Sequence, residues 1–218
     1  VANGQNERLL QELKPHKNLT RLSIVNYNGE RLPCWLGHAD FEYLEVLHLC
    51  QCQHCIELPM LGQLPKLKHV IVDGFDQLQI VGSNFYGKLH SSSIGCFKSL
   101  VSLKFLRLLH WKEWSTIEAD VRYFPSLQEL YIWDCPELSR GFPLQLPALK
   151  ILNMRNCPEF SGSLPQSPLL SELSLTDCGR ADLKSLAELT CLTSLSLQWS
   201  RPRDDHVAVV KAAVPHLT

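Results

Sequence analysis

The sequence predicts an α/β solenoid: a right-handed horseshoe of about eight coils, with a parallel sheet on its concave face and a convex side built mostly of loops and 3₁₀ turns. Three observations point there. Leucine supplies 40 of the 218 residues, so one kind of buried site is being reused many times. The pattern Leu-x-x-Leu-x-Leu-x-x-(Cys/Asn) can be laid on the chain eight times in register. Between its copies the chain is rich in proline, for example Pro59, Pro65, Pro125, Pro143, Pro158 and Pro168. Proline removes a backbone donor and disfavours helix in the residue before it, so few helices are expected on the return path.

The copies start at Leu19, Leu44, Leu67, Leu100, Leu127, Leu149, Leu170 and Leu192, with steps of 25, 23, 33, 27, 22, 21 and 22 residues. Side chains alternate along a strand, so the fourth and sixth positions point into the solenoid and the fifth points out. Each coil buries its leucines only against its neighbours. The ninth position turns the chain out of the strand. Cys52, Cys135, Cys157 and Cys178 fall there, where a small side chain fits inside and donates weakly to backbone carbonyls. Steps of about 20–29 residues with this signature are those of leucine-rich repeats. Only the 33-residue step is unusual, and Val81–Cys96, with Gly82, Gly87, Gly95 and the run Ser91-Ser92-Ser93, reads as a surface insertion at one edge of its coil.

Helices are expected near the ends. Glu7–Leu13 places Leu9, Leu10 and Leu13 on one face, and Asp205–Val214 does the same with Val207, Val210 and Val214. Residues 1–218 therefore read as one repeat domain cut from a longer chain at both ends. The first helix resembles the outer wall of a preceding coil, and Val214–Thr218 the approach to a ninth strand. A solenoid needs polar caps, and neither end supplies an obvious one.

Composition excludes several function classes. Twenty-one Lys+Arg against 22 Asp+Glu give a net charge of −1, without the basic excess of a nucleic-acid binder. No apolar run approaches the roughly 20 residues that span a bilayer. Nine cysteines, an odd number scattered through the middle of the chain, favour a reducing, intracellular compartment, the cytoplasm and also the nucleus. The sequon Asn18-Leu19-Thr20 is weak evidence the other way. Neither a Gly-x-x-x-x-Gly-Lys-Ser/Thr phosphate cradle nor a Gly-x-Ser-x-Gly elbow occurs, so the chain is not expected to be an enzyme or to hold a cofactor. Five potential zinc ligands crowd into His48-Leu-Cys50-Gln-Cys52-Gln-His54-Cys55. The repeat register commits Cys52 to the interior and sends His48 and Cys50 to the open face, and no second half-site lies nearby, so no metal is expected.

What remains is the array of outward side chains on the sheet. The fifth position reads Ser23, His48, Ile71, Lys104, Tyr131, Asn153, Ser174 and Ser196, and the seventh includes Asp73, Leu106, Trp133 and Arg155. The eighth, also read as outward, includes Arg107, Asp134 and Trp199. Lys104, Arg107, Tyr131, Trp133 and Arg155 fall on three consecutive coils, and Trp, Tyr and Arg dominate binding hot spots. The expected partner-binding residues are therefore His48, Lys104, Arg107, Tyr131, Trp133, Arg155 and Trp199, centred on Tyr131 and Trp133. The competing reading is that Trp133 merely packs on its lateral neighbours.

Several strings carry a closer resemblance. They are Leu13-Lys-Pro-His-Lys-Asn-Leu19, Leu32-Pro-Cys-Trp-Leu-Gly37, Leu58-Pro-Met-Leu-Gly-Gln-Leu-Pro-Lys-Leu67, Val81-Gly-Ser-Asn-Phe-Tyr-Gly87, Trp111-Lys-Glu-Trp114 and Phe124-Pro-Ser-Leu-Gln-Glu-Leu130, the last leading into Cys135-Pro136. Together they resemble the leucine-rich-repeat region of plant coiled-coil, nucleotide-binding (NB-ARC) immune receptors. The resemblance implies sensing of a pathogen or pest effector, directly or through a guarded host protein, and intramolecular restraint of an NB-ARC domain. ADP or ATP would then be held only in that module, whose motifs have no counterpart here. The alternative is the substrate-recognition repeats of an F-box ubiquitin-ligase subunit.

Overall fold

The computed structural model describes residues 2–87, 96–116, 123–179, 186 and 189–200. Ten strands follow one another along the chain: β1 (Arg21–Val25), β2 (Val46–Cys50), β3 (His69–Asp73), β4 (Ile80–Val81), β5 (Ser102–Leu106), β6 (Glu113–Trp114), β7 (Glu129–Trp133), β8 (Ile151–Cys157), β9 (Glu172–Cys178) and β10 (Ser194–Gln198). Eight of them form one sheet in the order β1-β2-β3-β5-β7-β8-β9-β10. Every pair in it is parallel. Eight strands bound seven complete turns of a solenoid.

The register is the one the leucine pattern demands. Leu22, Leu47, Val70, Leu103, Leu130, Leu152, Leu173 and Leu195 stand side by side, and so do Ile24, Leu49, Val72, Phe105, Ile132, Met154, Leu175 and Leu197. From β2 to β9 these two inward rows are buried, while the residues between them stay half-exposed. A slip of one residue would turn every one of these teeth to solvent, so burial alone holds the register.

Seven of the eight main-sheet coils share one conformation at the eighth position. Asn26, Gln51, Gly74, Arg107, Asp134, Asn156 and Asp177, the eighth positions of seven successive coils, all have positive φ between 49° and 68°. The left-handed residue bends the chain out of the strand yet keeps its N–H in the ladder. Gln51 donates to the Asp73 carbonyl at 2.7 Å, Arg107 to Trp133 at 2.9 Å and Asp134 to Arg155 at 2.8 Å. Glycine, asparagine and aspartate tolerate this conformation; glutamine and arginine do so at a cost. The eighth position is thus a turn element as well as an outward row, with Asn26, Arg107 and Asn156 exposed. The ninth-position cysteines behave as expected: Cys135 Sγ lies 3.4 Å from the Trp133 carbonyl, Cys157 Sγ 3.4 Å from Arg155 and Cys178 Sγ 3.6 Å from Thr176.

The return path carries little helix. Among the described residues it holds two 3₁₀ turns, Cys34–Gly37 and Leu61–Gln63, and the single-turn helix α2 (Ser83–Tyr86). A second, short parallel ladder joins β4 to β6 and continues through a bridge from Glu113 to Arg140.

Two expectations need correction. The 33-residue step is not a surface loop throughout: β4 and α2 occupy its first part, and Phe85 and Tyr86 are fully buried. They join an aromatic core in which Phe85 and Phe97 centroids are 4.7 Å apart, Phe97 stacks on Phe124 at 4.9 Å, and the Trp114 indole N–H donates to the Tyr86 hydroxyl at 2.7 Å. A coil with a longer perimeter encloses more volume, and rings fill it where leucines fill the shorter coils. Residues 88–95 of this segment lie outside the described residues. The first helix, α1 (Ala2–Glu12), turns a different face to the core than its leucines suggest. Only Leu10 packs inward, whereas Leu9 and Leu13 are each 60% exposed. Polar docking decides the orientation: the Glu7 carboxylate accepts the Glu30 and Arg31 N–H groups at 2.6 and 3.2 Å, and the Gln11 side-chain oxygen accepts the Cys34 N–H at 3.1 Å. The expected helix over 205–214 lies outside the described residues.

Candidate functional site

The open face of the main sheet brings five of the seven expected residues together. Register places Lys104, Tyr131 and Asn153 side by side on β5, β7 and β8, and Leu106, Trp133 and Arg155 one step further along the same strands. Arg107 follows β5 directly. His48 and Trp199 stand apart. Strand β3 separates His48 from Lys104, and β9 lies between Arg155 and the last coil. Trp199 is half-buried and donates its indole N–H to the Cys178 carbonyl at 3.2 Å, so it braces the outgoing turn of its neighbour.

The central rings are held from several sides. Lys104 Nζ sits 4.5 Å from the Tyr131 ring centroid, a cation–π arrangement. Tyr131 and Trp133 meet edge to face, with centroids 5.7 Å apart and planes at 85°. The Trp133 indole N–H donates to Asn153 Oδ1 at 2.8 Å. Both rings keep part of their surface in solvent. Burial, and after it the charges of Glu129 and Glu172, push the Tyr131 phenol above its ordinary range, so it stays protonated at neutral pH. Such preorganisation lowers the entropy lost when a partner docks. Trp133 thus both packs laterally and remains presented.

Asp73 is the neighbour that composition did not single out. Its Oδ2 takes the Arg107 guanidinium at 2.5 Å, with the aspartate side chain 13% exposed and the arginine 53%. Its other oxygen is buried without a hydrogen-bond partner. Burial raises the Asp73 pKa and Arg107 opposes that shift. Gly74, which follows Asp73, has positive φ and lies against the Gln51 side chain, whose Nε2 would come within 2.8 Å of a Cβ there. A signal for this pairing was present in the sequence, since Arg is the one long cation in a row of Asn, Gly and Asp.

Among the described residues no group of three or more His, Cys, Asp or Glu side chains is arranged to hold a metal ion. In the His48–Cys55 stretch, Cys52 and Cys55 are buried and their thiols face carbonyls, Cys55 Sγ lying 3.2 Å from Gly29 O. No helix among the described residues is long and apolar enough to cross a membrane.

This geometry defines a leucine-rich-repeat solenoid, an architecture that presents a sheet of outward side chains to other proteins. Residues 1–75 match the family described as R13L1/DRL21 leucine-rich repeats, and the chain is similar over most of its length to plant disease-resistance proteins. It is 37% identical over 190 residues to the disease resistance RPP13-like protein 1 of Arabidopsis thaliana, covering 83% of this chain and 17% of that protein. Identity is 38% over 152 residues with another Arabidopsis thaliana disease resistance protein, 70% of this chain and 11% of the relative. Against the disease resistance protein RGA4 of Solanum bulbocastanum it is 31% over 132 residues, 59% and 13% respectively. The chain therefore spans less than a fifth of each of these relatives.

Proposed function

We propose that this solenoid is the protein-recognition part of an intracellular plant immune receptor. Its concave patch on β5, β7 and β8 contacts a pathogen or pest effector, or a host protein that the effector alters. The same solenoid restrains a neighbouring nucleotide-binding module in the longer protein, and ADP or ATP belongs to that module. Work of this kind suits the cytoplasm, where the nine thiols stay reduced.

The observation that carries the reading is the braced aromatic pair Tyr131 and Trp133, flanked in register by Lys104 and Arg155, on the open face of a chain similar to disease resistance proteins. Aromatic and arginine side chains held in one geometry form interface hot spots. No feature of the face favours the F-box alternative, and the relatives named above favour the receptor.

The test uses the full-length receptor in plant tissue. Tyr131→Ala with Trp133→Ala should abolish the pathogen-triggered cell-death response while protein level and thermal stability hold. An undiminished response from the double variant at equal abundance would remove the patch from the account.

A further inference from the structure

We infer that Cys52 and Cys55 are an oxidisable thiol pair, which a hydroperoxide converts to a disulfide inside the turn that leaves β2. The inference is independent of the binding face and adds a modification site to the interior of the second coil.

Cys52-Gln-His-Cys55 is the single Cys-x-x-Cys spacing in the chain. The Cys55 N–H donates to the Cys52 carbonyl at 3.1 Å and closes a turn, which keeps its first and fourth Cα atoms within about 7 Å. A disulfide asks for about 4.4–6.8 Å between them, a separation the closed turn allows. Both thiols are fully buried and share a hydrogen bond, while Gln53 and His54 at the tip of the turn are exposed. One turn of chain therefore covers the pair, and a local opening admits a molecule as small as hydrogen peroxide while holding off larger reagents.

The surroundings give the two sulfurs different roles. The Cys55 thiol donates to Cys52 Sγ and the Tyr27 backbone N–H adds a second donor, so Cys52 ionises below its ordinary range. Cys55 is pushed far above that range, first by the same hydrogen bond, then by burial and the charge of Cys52. The thiolate is the form that attacks. Cys52 sulfur bonds to one peroxide oxygen, the O–O bond breaks, and the departing hydroxide takes the proton that Cys52 released and leaves as water. The product, a sulfenic acid, no longer carries the charge that held the Cys55 proton. Cys55 sulfur then attacks Cys52 sulfur, the S–O bond breaks, and the hydroxyl leaves with the Cys55 proton as a second water. Two thiols and one peroxide thus give one disulfide and two waters. The new bond takes the Cys55 S–H from the Gly29 carbonyl, 3.2 Å away, and cuts one tie between the first two coils. In a reducing compartment such a bond is transient.

Other thiols lack this combination. Cys157 and Cys178 pair in register and touch, yet both are raised, Cys157 first by its hydrogen bond to Cys135 and Cys178 by its bond to Cys157 and then by burial. Cys34 and Cys191 are exposed and report simple access.

The test treats this chain with a single equivalent of hydrogen peroxide at neutral pH. Denaturation, blocking of free thiols with N-ethylmaleimide and site-resolved mass spectrometry follow. The stretch holding Cys52 and Cys55 should be lighter by two hydrogens and unblocked at both cysteines, before any link joins Cys157 to Cys178. Dithiothreitol should restore both thiols. Cys55→Ser should stop at a Cys52 sulfenic acid that dimedone traps on denaturation, and Cys52→Ser should leave Cys55 a free thiol. The wild-type map decides alone where a variant fails to fold. Recovery of Cys52 and Cys55 as free thiols while Cys34 and Cys191 oxidise would overturn the inference, as would a Cys157–Cys178 bond that forms first.

Discussion

Removing one oxygen from the interior separates a built-in aromatic coil from a peripheral loop. Tyr86 is fully buried, and its hydroxyl accepts the Trp114 indole N–H at 2.7 Å. Tyr86→Phe keeps the ring, which packs against Phe85, Phe97, Tyr123 and Phe124. What it leaves is an indole donor buried with no acceptor, a loss of about 1–3 kcal/mol. In a domain of this size 1 kcal/mol shifts the melting temperature by about 2–4 °C, so calorimetry should record a fall of about 2–12 °C. Trp114→Phe in the Tyr86→Phe background removes the orphaned donor as well. The double variant should therefore lose clearly less than the two single losses added together. The burial of Tyr86 also pushes its phenol far above the ordinary range, so alkaline titration should leave it protonated until the fold opens. A Tyr86→Phe protein that melts with the wild type, or two losses that simply add, would refute the picture of a satisfied donor–acceptor pair inside the coil.

Other outcomes follow from single residues. Gln51→Asn puts an amide better suited to the left-handed turn at φ 56°, and should raise stability by about 0.5–1 kcal/mol in denaturant unfolding. Alkylation of the native protein should reach the exposed Cys34 and Cys191 first and spare the buried Cys52, Cys55, Cys135, Cys157 and Cys178, read by mass spectrometry. Burial, and then Asp73, raise the Cys50 thiol, so its alkylation rate should climb only above the usual thiol range of pH. The Ser200 N–H and hydroxyl lower the Asp177 pKa. Its stabilising effect is therefore complete above the unfolded carboxylate value near pH 4 and lost as pH falls through the lower folded value. Hydrogen exchange should show β10 loosening below about pH 4, and Asp177→Ala should remove that dependence.

The repeating interior was readable because it obeys one rule eight times. Leucine at fixed spacing names the inward rows, and each later strand repeats the test, so the register of all eight strands of the main sheet was available without coordinates. The single exception hid a different solution. Gly82, Gly87 and the serines around 91–93 suggest a loop, whereas the large rings of Phe85 and Tyr86 demand burial. Burial of large rings outweighs turn-forming residues nearby. The first helix misled for the opposite reason: Leu9 and Leu13 carry the apolar signal, but the carboxylate of Glu7 and the amide of Gln11 satisfy backbone groups of the next coil and decide which face docks.

The patch was legible as a list of residues and not as a geometry. Spacing alone put Lys104, Tyr131 and Trp133 on one face, since alternation and register leave no other choice. That Arg107 pairs with Asp73 depends on the left-handed backbone at Arg107, which spacing does not reveal. Nor does spacing tell that Trp199 bonds a neighbouring carbonyl. Side-chain direction at a turn is set by φ, and the recurrence of Asn, Asp and Gly at the eighth position was the one sign of it.

The central claim is that the rings on β7 are the anchor of a protein interface. Titration calorimetry of a protein partner of the longer chain against this solenoid tests it most directly. Tyr131→Ala together with Trp133→Ala should weaken binding by at least about 2 kcal/mol, roughly thirtyfold, with the melting temperature within a few degrees of the parent. An affinity unchanged by loss of both rings in a folded protein would contradict the account.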